Sequence, residues 1–314
     1  MQEYITTYMR VIITGATGFI GIALCQELTE AEYEVVALSR NRETGTKILG
    51  EKVKVAQWDG KTAKGWGNLA NGAYAVINLA GENISSGRWT DKRKKIILES
   101  RLNAGKAVVE AVRTAEEKPK VVIQASAIGY YGSHGDEIID EDFPPGNGFM
   151  PEVAQQWELS IKAVELVGVR HIVIRTGIVL GKNGGAFPRL ILPFRLFVGG
   201  HLDNGEQWFS WIHLKDEVRA IRFLIEKEDL EGVFNLTAPG AIKEKDFAKI
   251  LGKVMQRPSW FPVPGFLLRL LFGEMAEGAL LTGQRVFPKR LLAAGFKFQY
   301  AEAMTALQEI LGKS

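Results

Sequence analysis

A single cysteine, Cys25, excludes an intrachain disulfide framework. The four histidines, His134, His171, His201 and His213, are scattered, and no Cys/His grouping has metal-ligand spacing. Net charge is slight: 39 basic against 36 acidic residues leave +3, too little to imply nucleic acid or an anionic membrane by itself. The densest charge run, Asp91-Lys92-Arg93-Lys94-Lys95, reads as a solvated helix start. The apolar stretch from Phe266 to Phe272 is far shorter than a membrane span and contains Arg269. There is no internal repeat, no low-complexity tract and no signal-peptide pattern, and residues 1–8 (MQEYITTY) read as a flexible polar extension. These absences leave an ordinary globular chain of 314 residues, long enough for one large domain or one domain with a smaller partner. A cytoplasmic location is the simple expectation.

What is present is a rhythm. Over the first two-thirds of the chain, short apolar runs alternate with helical patterns, as in a parallel sheet covered on both faces. The runs 9–14 (MRVIIT), 34–39 (EVVALS), 53–57, 74–80 (YAVINLA), 120–126 (KVVIQAS) and 169–176 (VRHIVIRT) predict six strands, and 232–236 (GVFNL) reads as one more of the same sheet. Helices are predicted over 19–31, where Ile20, Leu24 and Leu28 share a face, over 91–115 and over 151–167. Beyond Gly181, paired glycines and several prolines cut the pattern into shorter pieces. The expectation is an α/β chain: a Rossmann-type, doubly wound parallel sheet over 9–180 that also receives 214–236, with a smaller C-terminal substrate lobe from 181–213 and 237–314.

Between the first strand and the first helix lies Thr14-Gly15-Ala16-Thr17-Gly18-Phe19-Ile20-Gly21. Glycines in this context have separable jobs: Gly15 permits the tight turn, Gly18 lets a pyrophosphate approach the backbone, and Gly21 lets the helix pack close to the sheet. The free N–H groups and dipole of the helix start then hold phosphates. Gly15, Thr17, Gly18, Phe19, Ile20 and Gly21 are therefore candidate dinucleotide-binding residues. The second strand ends in Ser39-Arg40-Asn41-Arg42, without the acid that binds a ribose 2′-hydroxyl in NAD enzymes. The forked guanidinium of Arg40 suits a 2′-phosphate instead, with Ser39 adding a hydroxyl, and this points to NADP(H). Asp59 is either an adenine ligand or a turn former. Leu79, Ala80 and Gly81, at the end of the fourth strand, are expected to form the cofactor wall.

The segments TGATGFIG, NLAG, SAIGYYG and RTGIVLG, in that order, resemble the extended short-chain dehydrogenase/reductase superfamily. Later segments, GGHLDNGEQWFSWIHLKD (199–216), GVFNLTAP (232–239), RPSWFPVP (257–264), FGEMAEGALLTGQRVFPKRL (272–291) and AAGFKFQY (293–300), narrow it. Together they resemble the atypical "epimerase family" group of NAD-dependent epimerase/dehydratase-like proteins, sometimes labelled cell-division-inhibitor-like. The resemblance covers nearly the whole chain from Met9.

Such reductases use a Tyr, a Lys four residues later and a Ser or Thr after the fifth strand. The Tyr exchanges a proton with substrate, and the Lys lowers its pKa and binds the nicotinamide ribose. In the predicted helix 151–167, Lys162 follows Glu158, so the usual pair is absent; Lys162 is either still the catalytic lysine that reaches the ribose or a surface residue of an amphipathic helix. Substitutes are Tyr130 and Tyr131 with Ser126; the usual Ser position falls at Ala127. Glu158 is either a replacement acid/base or a helix-surface carboxylate. The resemblance also places Ile178 and Val179 beside the nicotinamide. Residues 85–89 are expected to form a mobile loop over the site, with Arg88 open to an anionic substrate or to solvent. Trp208 and Trp211 either stack on substrate or lie buried between lobes.

Two functions follow. One is an NADP(H)-binding epimerase or oxidoreductase acting on a small polar substrate such as a nucleotide sugar; the other is a non-catalytic dinucleotide-binding regulator or sensor. The expected partner is a small molecule, with neither nucleic acid nor membrane, and a homo-oligomer stays open.

Overall fold

A computed structural model describes residues 9–312, so the polar extension at 1–8 lies outside the described residues. The chain opens with β1 (Arg10–Thr14), α1 (Phe19–Glu30), β2 (Glu34–Ser39), α2 (Arg42–Leu49) and β3 (Lys54–Gln57). It continues with β4 (Ala75–Asn78), α3 (Asp91–Thr114), β5 (Val121–Ala127), β6 (Ile138–Ile139), α4 (Phe149–Leu159) and β7 (Arg170–Thr176). Next come β8 (Ile178–Leu180), α5 (Phe187–Arg195), β9 (Trp208–Phe209), β10 (Trp211–His213), α6 (Leu214–Glu226) and β11 (Gly232–Leu236). The chain closes with β12 (Ile242–Lys243), α7 (Glu244–Met255), α8 (Gly265–Phe272), β13 (Arg285–Val286), α9 (Lys289–Ala293) and α10 (Ala303–Leu311).

Seven strands form one parallel sheet in the order β11-β7-β5-β4-β1-β2-β3. The chain winds outward from β1 to β3, then returns to β4 on the other side of β1. The strands β1 and β4 stay paired to their ends, but the helices that follow them, α1 and α3, lie on opposite faces of the sheet, and the crevice opens beyond the strand ends between the two connections.

Strict alternation divides the strand residues between two cores. Val11, Ile13, Val35, Ala37, Ile77, Ile123 and Ile174 face α1 and α6, meeting Leu24, Leu28, Ile221 and Leu224. Ile12, Val36, Leu38, Val76 and Val122 face α3, whose Ala104, Ala107, Val108 and Ala111 line the contact. Both faces are covered, which is why the strands read as continuous apolar runs. Cys25 lies in the first core, where burial pushes its thiol up to about 12.

A third core, from Phe187, Ile191, Phe209, Trp211, Phe247, Leu251 and Leu307, forms among the elements that follow β7. Two short parallel pairs join segments distant in the chain: β8 with β10, and β6 with β13. No helix is long and apolar enough to cross a membrane among the described residues.

One prediction fails in length. The helix expected over 151–167 ends at Leu159, and Lys162–Val167 forms a separate 3₁₀ stretch. Gly168, at φ +74°, then turns the chain into β7.

Candidate functional site

The glycine turn divides its work as its spacing suggests. Gly15 has φ +67°, and a Cβ there would lie 2.8 Å from the Leu79 carbonyl carbon. A Cβ at Gly21 would lie 2.3 Å from the Gly15 oxygen and 2.7 Å from the Ala16 Cα, so this glycine brings α1 against the end of β1. Gly18 is different: a Cβ would meet only the Gly15 oxygen, at 3.1 Å. No side chain caps α1, so the N–H groups at its start stay available to an anion. The backbone beside Gly18 thus fits a diphosphate.

Leu79, Ala80 and Gly81 form the wall opposite. A buried polar chain holds it: Thr14 Oγ1 donates to Asn78 Oδ1 (2.6 Å), and Asn78 Nδ2 to Gln124 Oε1 (2.8 Å). The Ala80 N–H donates back to Thr14 Oγ1 (3.1 Å). The signal for this chain in the sequence is a polar residue ending each of the apolar strands β1 and β4 and one in the middle of β5.

At the end of β2, Arg40 is exposed and has no hydrogen bond or ion pair to any described residue. Its Cδ lies 3.9 Å from where a Gly60 Cβ would stand, so it overhangs the turn after β3. Ser39 Oγ is spent locally, donating to the Asn41 carbonyl (2.8 Å). Asp59 accepts from the N–H groups of Thr62 and Lys61 and from Thr62 Oγ1, and these bonds hold its carboxyl below the usual range. Of the two roles weighed for Asp59, the turn is the one its carboxylate fills. Phe19 offers its N–H to the helix start, while its ring packs on Gly181, Gly184 and Gly185; Thr17 and Ile20 flank it at the same helix end.

The residues expected to do chemistry fall into two groups. Ser126, Tyr131 and Glu158 belong to an inward network centred on Arg175. Arg175 Nε and Nη2 donate to the two oxygens of Glu158 (2.9 and 3.0 Å), and Nη1 donates to the Tyr131 hydroxyl (3.1 Å). Tyr131 donates in turn to Asn235 Oδ1 (2.7 Å), and Ser126 Oγ to Glu158 Oε1 (2.6 Å). Tyr131 is fully buried, and burial pushes its hydroxyl up to about 12. Burial works against the Arg175 cation, but the Glu158 hydrogen bonds and charge raise its pKa overall. Glu158 is therefore neither a free acid/base nor a surface carboxylate; it is the counter-charge of a buried arginine.

Tyr130 stands apart. It is half-buried, its ring stacks on the Arg175 guanidinium (3.3 Å to the ring centre), and its hydroxyl bonds to no described residue. Lys162 is exposed on the 3₁₀ stretch, a turn beyond Glu158, which is already level with the ends of β5 and β7. Counting back along α4 from Glu158, the positions nearer the cleft on the same face are Ala154 and Met150. Ala154 is buried, and Met150 packs on the Gly129 backbone. No ionisable group occupies the cleft face of α4.

Ile178 is half-buried at the start of β8, its N–H bonded to the Ser210 carbonyl (2.9 Å), and Val179 is buried. The loop 85–89 is tied down. Arg88 donates to the carbonyls of Leu270 and Leu271 at the end of α8, and Arg189 reaches the Ser85 carbonyl (3.3 Å). Arg88 therefore closes a helix end. Trp211 is fully buried, and Trp208 lies against Lys243 and Arg285, its Nε1 donating to Asp136 (2.8 Å). Sequence reasoning missed Arg101, a buried arginine whose guanidinium lies against Gly81; burial lowers its pKa to about 10. The available signal was a cation on the apolar face of α3, four residues after Ile97.

The profile of the NAD dependent epimerase/dehydratase family matches residues 11–237, and that of a domain of unknown function, DUF1731, matches 263–310. The chain is 38% identical over 305 residues to epimerase family protein YfhF of Bacillus subtilis, covering 96% of this chain and 98% of that protein. It is 39% identical over 310 residues to a chloroplastic SDR39U1 homolog of Arabidopsis thaliana, an epimerase family protein, covering 96% and 87%. Among solved structures, human epimerase family protein SDR39U1 (isoform 2) with NADPH superposes at a TM-score of 0.87 and 33% identity, covering 98% of this chain and all (100%) of that one. A UDP-galactose 4-epimerase, at 21% identity and a TM-score of 0.75 over 97% and 99% of the chains, shares the fold.

Proposed function

This chain belongs to the NAD dependent epimerase/dehydratase family, and on that premise we propose that it binds NADP(H) across the C-terminal edge of its sheet and catalyses reversible hydride exchange with a small polar carbonyl or hydroxyl compound. The observation that carries this reading is the open backbone at Gly18 together with the unpaired Arg40 guanidinium at the end of β2. The human relative solved with NADPH supports the same cofactor. Bound, the nicotinamide supplies or takes the hydride.

The chain's own residues do the rest. Gly15, Gly18 and the N–H groups at the start of α1 hold the diphosphate, and Arg40 selects the 2′-phosphate by a forked, charge-assisted contact. Tyr130 carries the one unengaged hydroxyl among the tyrosines of the β5 loop, and its ring lies against the Arg175 guanidinium. It gives a proton to the substrate oxygen as the carbonyl is reduced, or takes one as the alcohol is oxidised. Nucleotide sugars are the first substrate class to examine.

The test is a fluorescence titration with NADPH and NADH, followed by incubation with small carbonyl compounds and nucleotide sugars. NADPH is expected to bind more tightly, and Arg40→Ala to weaken it by about tenfold or more while leaving NADH nearly unchanged. Equal loss for both nucleotides would overturn the cofactor assignment. A second reading, a non-catalytic dinucleotide sensor, is favoured by one observation: α4 presents Met150 and Ala154 where a Tyr-Lys pair would stand. Tight NADPH binding with no turnover across the substrates would select it.

A further inference from the structure

We infer that Arg101 receives a carboxylate of the substrate beside the cofactor wall. The inference deepens the proposed function and rests on reading the crevice as a substrate site. Arg101 lies on the sheet-facing side of α3 and is 9% exposed. Only one of its three nitrogens has protein partners: Nη1 donates to the carbonyls of Glu82 (3.0 Å) and Ile97 (2.9 Å). Nε is buried without a partner, and so is Nε1 of Trp157, the ring that lies 4.6 Å under the guanidinium. Arg101 thus carries an unpartnered donor and packs on a ring whose own donor is unpartnered, and a buried donor without an acceptor is costly.

The charge around that spot is also unbalanced. The nearest carboxylate, Glu82, is taken by Arg93 (3.0 Å), so two guanidiniums share one acid. One positive charge remains, which matches a monoanion better than a phosphate dianion. A planar pair of oxygens also matches the guanidinium fork. The cation also adjoins the end of β4: a Cβ at Gly81 would stand 2.9 Å from Arg101 Cζ, so the glycine puts no side chain between the guanidinium and this edge of the sheet.

The test is titration of the NADPH-loaded protein with acetate and oxamate, watched in the arginine side-chain Nε–H region of a proton–nitrogen correlation spectrum. Oxamide, uncharged, and inorganic phosphate are the controls. The Arg101 signal, assigned by its loss in Arg101→Lys, is expected to shift saturably with the carboxylates and not with oxamide. Arg101→Lys keeps the charge but loses the fork, and is expected to weaken carboxylate binding by about tenfold while NADPH affinity stays within about threefold. No shift with either carboxylate, an equal response to oxamide, stronger binding of phosphate, or unchanged carboxylate binding in Arg101→Lys would each overturn the inference. NADPH affinity, read in the same samples from its own fluorescence, reports on the cofactor reading separately. If Arg101→Lys fails to fold, saturable binding of acetate or oxamate to the wild type, read by calorimetry and absent with oxamide, decides the inference instead, and its absence overturns it.

Discussion

Arg175 holds Glu158, Tyr131 and, through Glu158, Ser126, and it lies under the ring of Tyr130. A buried guanidinium demands this company, because an uncompensated charge off water is expensive. The two adjacent tyrosines consequently have opposite roles. Tyr131→Phe removes the hydroxyl that Arg175 donates to and that donates to Asn235, stranding two buried groups. Denaturant unfolding is expected to show a loss of about 1–3 kcal/mol. Tyr130→Phe removes a hydroxyl with no protein partner. Its stability is expected to change by less than about 0.5 kcal/mol, while turnover on the substrate identified falls about 100-fold. If the Tyr131 variant keeps full stability, the network does not bear on the fold as described. If the Tyr130 variant turns over normally, Tyr130 does not carry the proton.

At the scale of elements, α1 and its leading turn are the clearest case of sequence read correctly into geometry, because each glycine answers a different steric demand. Gly21→Ala drives a Cβ into the Gly15 oxygen and Ala16 Cα, both backbone, so α1 must move away from β1. A loss of about 1–3 kcal/mol is expected. Gly18→Ala meets only one oxygen at 3.1 Å, so the melting temperature is expected to stay nearly constant while NADPH affinity falls sharply. Equal melting-temperature losses for the two variants would show that they share one structural role. The seven parallel strands were legible because burial on both faces leaves an apolar run that periodicity detects. Helix α4 was not legible in full. Residues 151–167 keep a helical apolar spacing, yet the chain leaves the α-helix after Leu159, with Ser160 Oγ bonding back to the Trp157 carbonyl (2.7 Å). Lys162 therefore lost the position that the longer helix would have given it. The Arg175 network was illegible for another reason: Ser126, Glu158, Arg175 and Asn235 are far apart in sequence, and only the packing of α4 and β11 about β7 brings them together.

Across the whole molecule, acids buried at the starts of α6 and α7 set a pH dependence. Asp216, fully buried at the start of α6, accepts the N–H groups of Gln299 (2.9 Å) and Tyr300 (2.8 Å) and anchors the C-terminal segment. Its neighbour Glu217 is also fully buried, but accepts only from Thr176 Oγ1 (2.9 Å), and burial pushes it up to about 8. Glu244, accepting the Leu202 N–H (2.8 Å), is pushed by burial up to about 7. In the unfolded chain both return to the ordinary value of 4.5. Below that value both states hold the protons, and the stabilisation from the raised values is fully present. As pH rises, the unfolded carboxyls ionise while the folded ones keep their protons, so unfolding gains ground until each folded value is passed. Stability measured by denaturant unfolding is therefore expected to fall between about pH 5 and pH 8, by on the order of 6 kcal/mol. Glu244 contributes only up to about 7 and Glu217 up to about 8. Glu217→Gln is accordingly expected to remove the part of the decline that continues above neutrality, and Glu244→Gln to leave that part in place. A wild-type stability that climbs across this range, or a decline untouched by both substitutions, would mean that these carboxyls are ionised in the folded protein and that their surroundings are wetter than the packing implies.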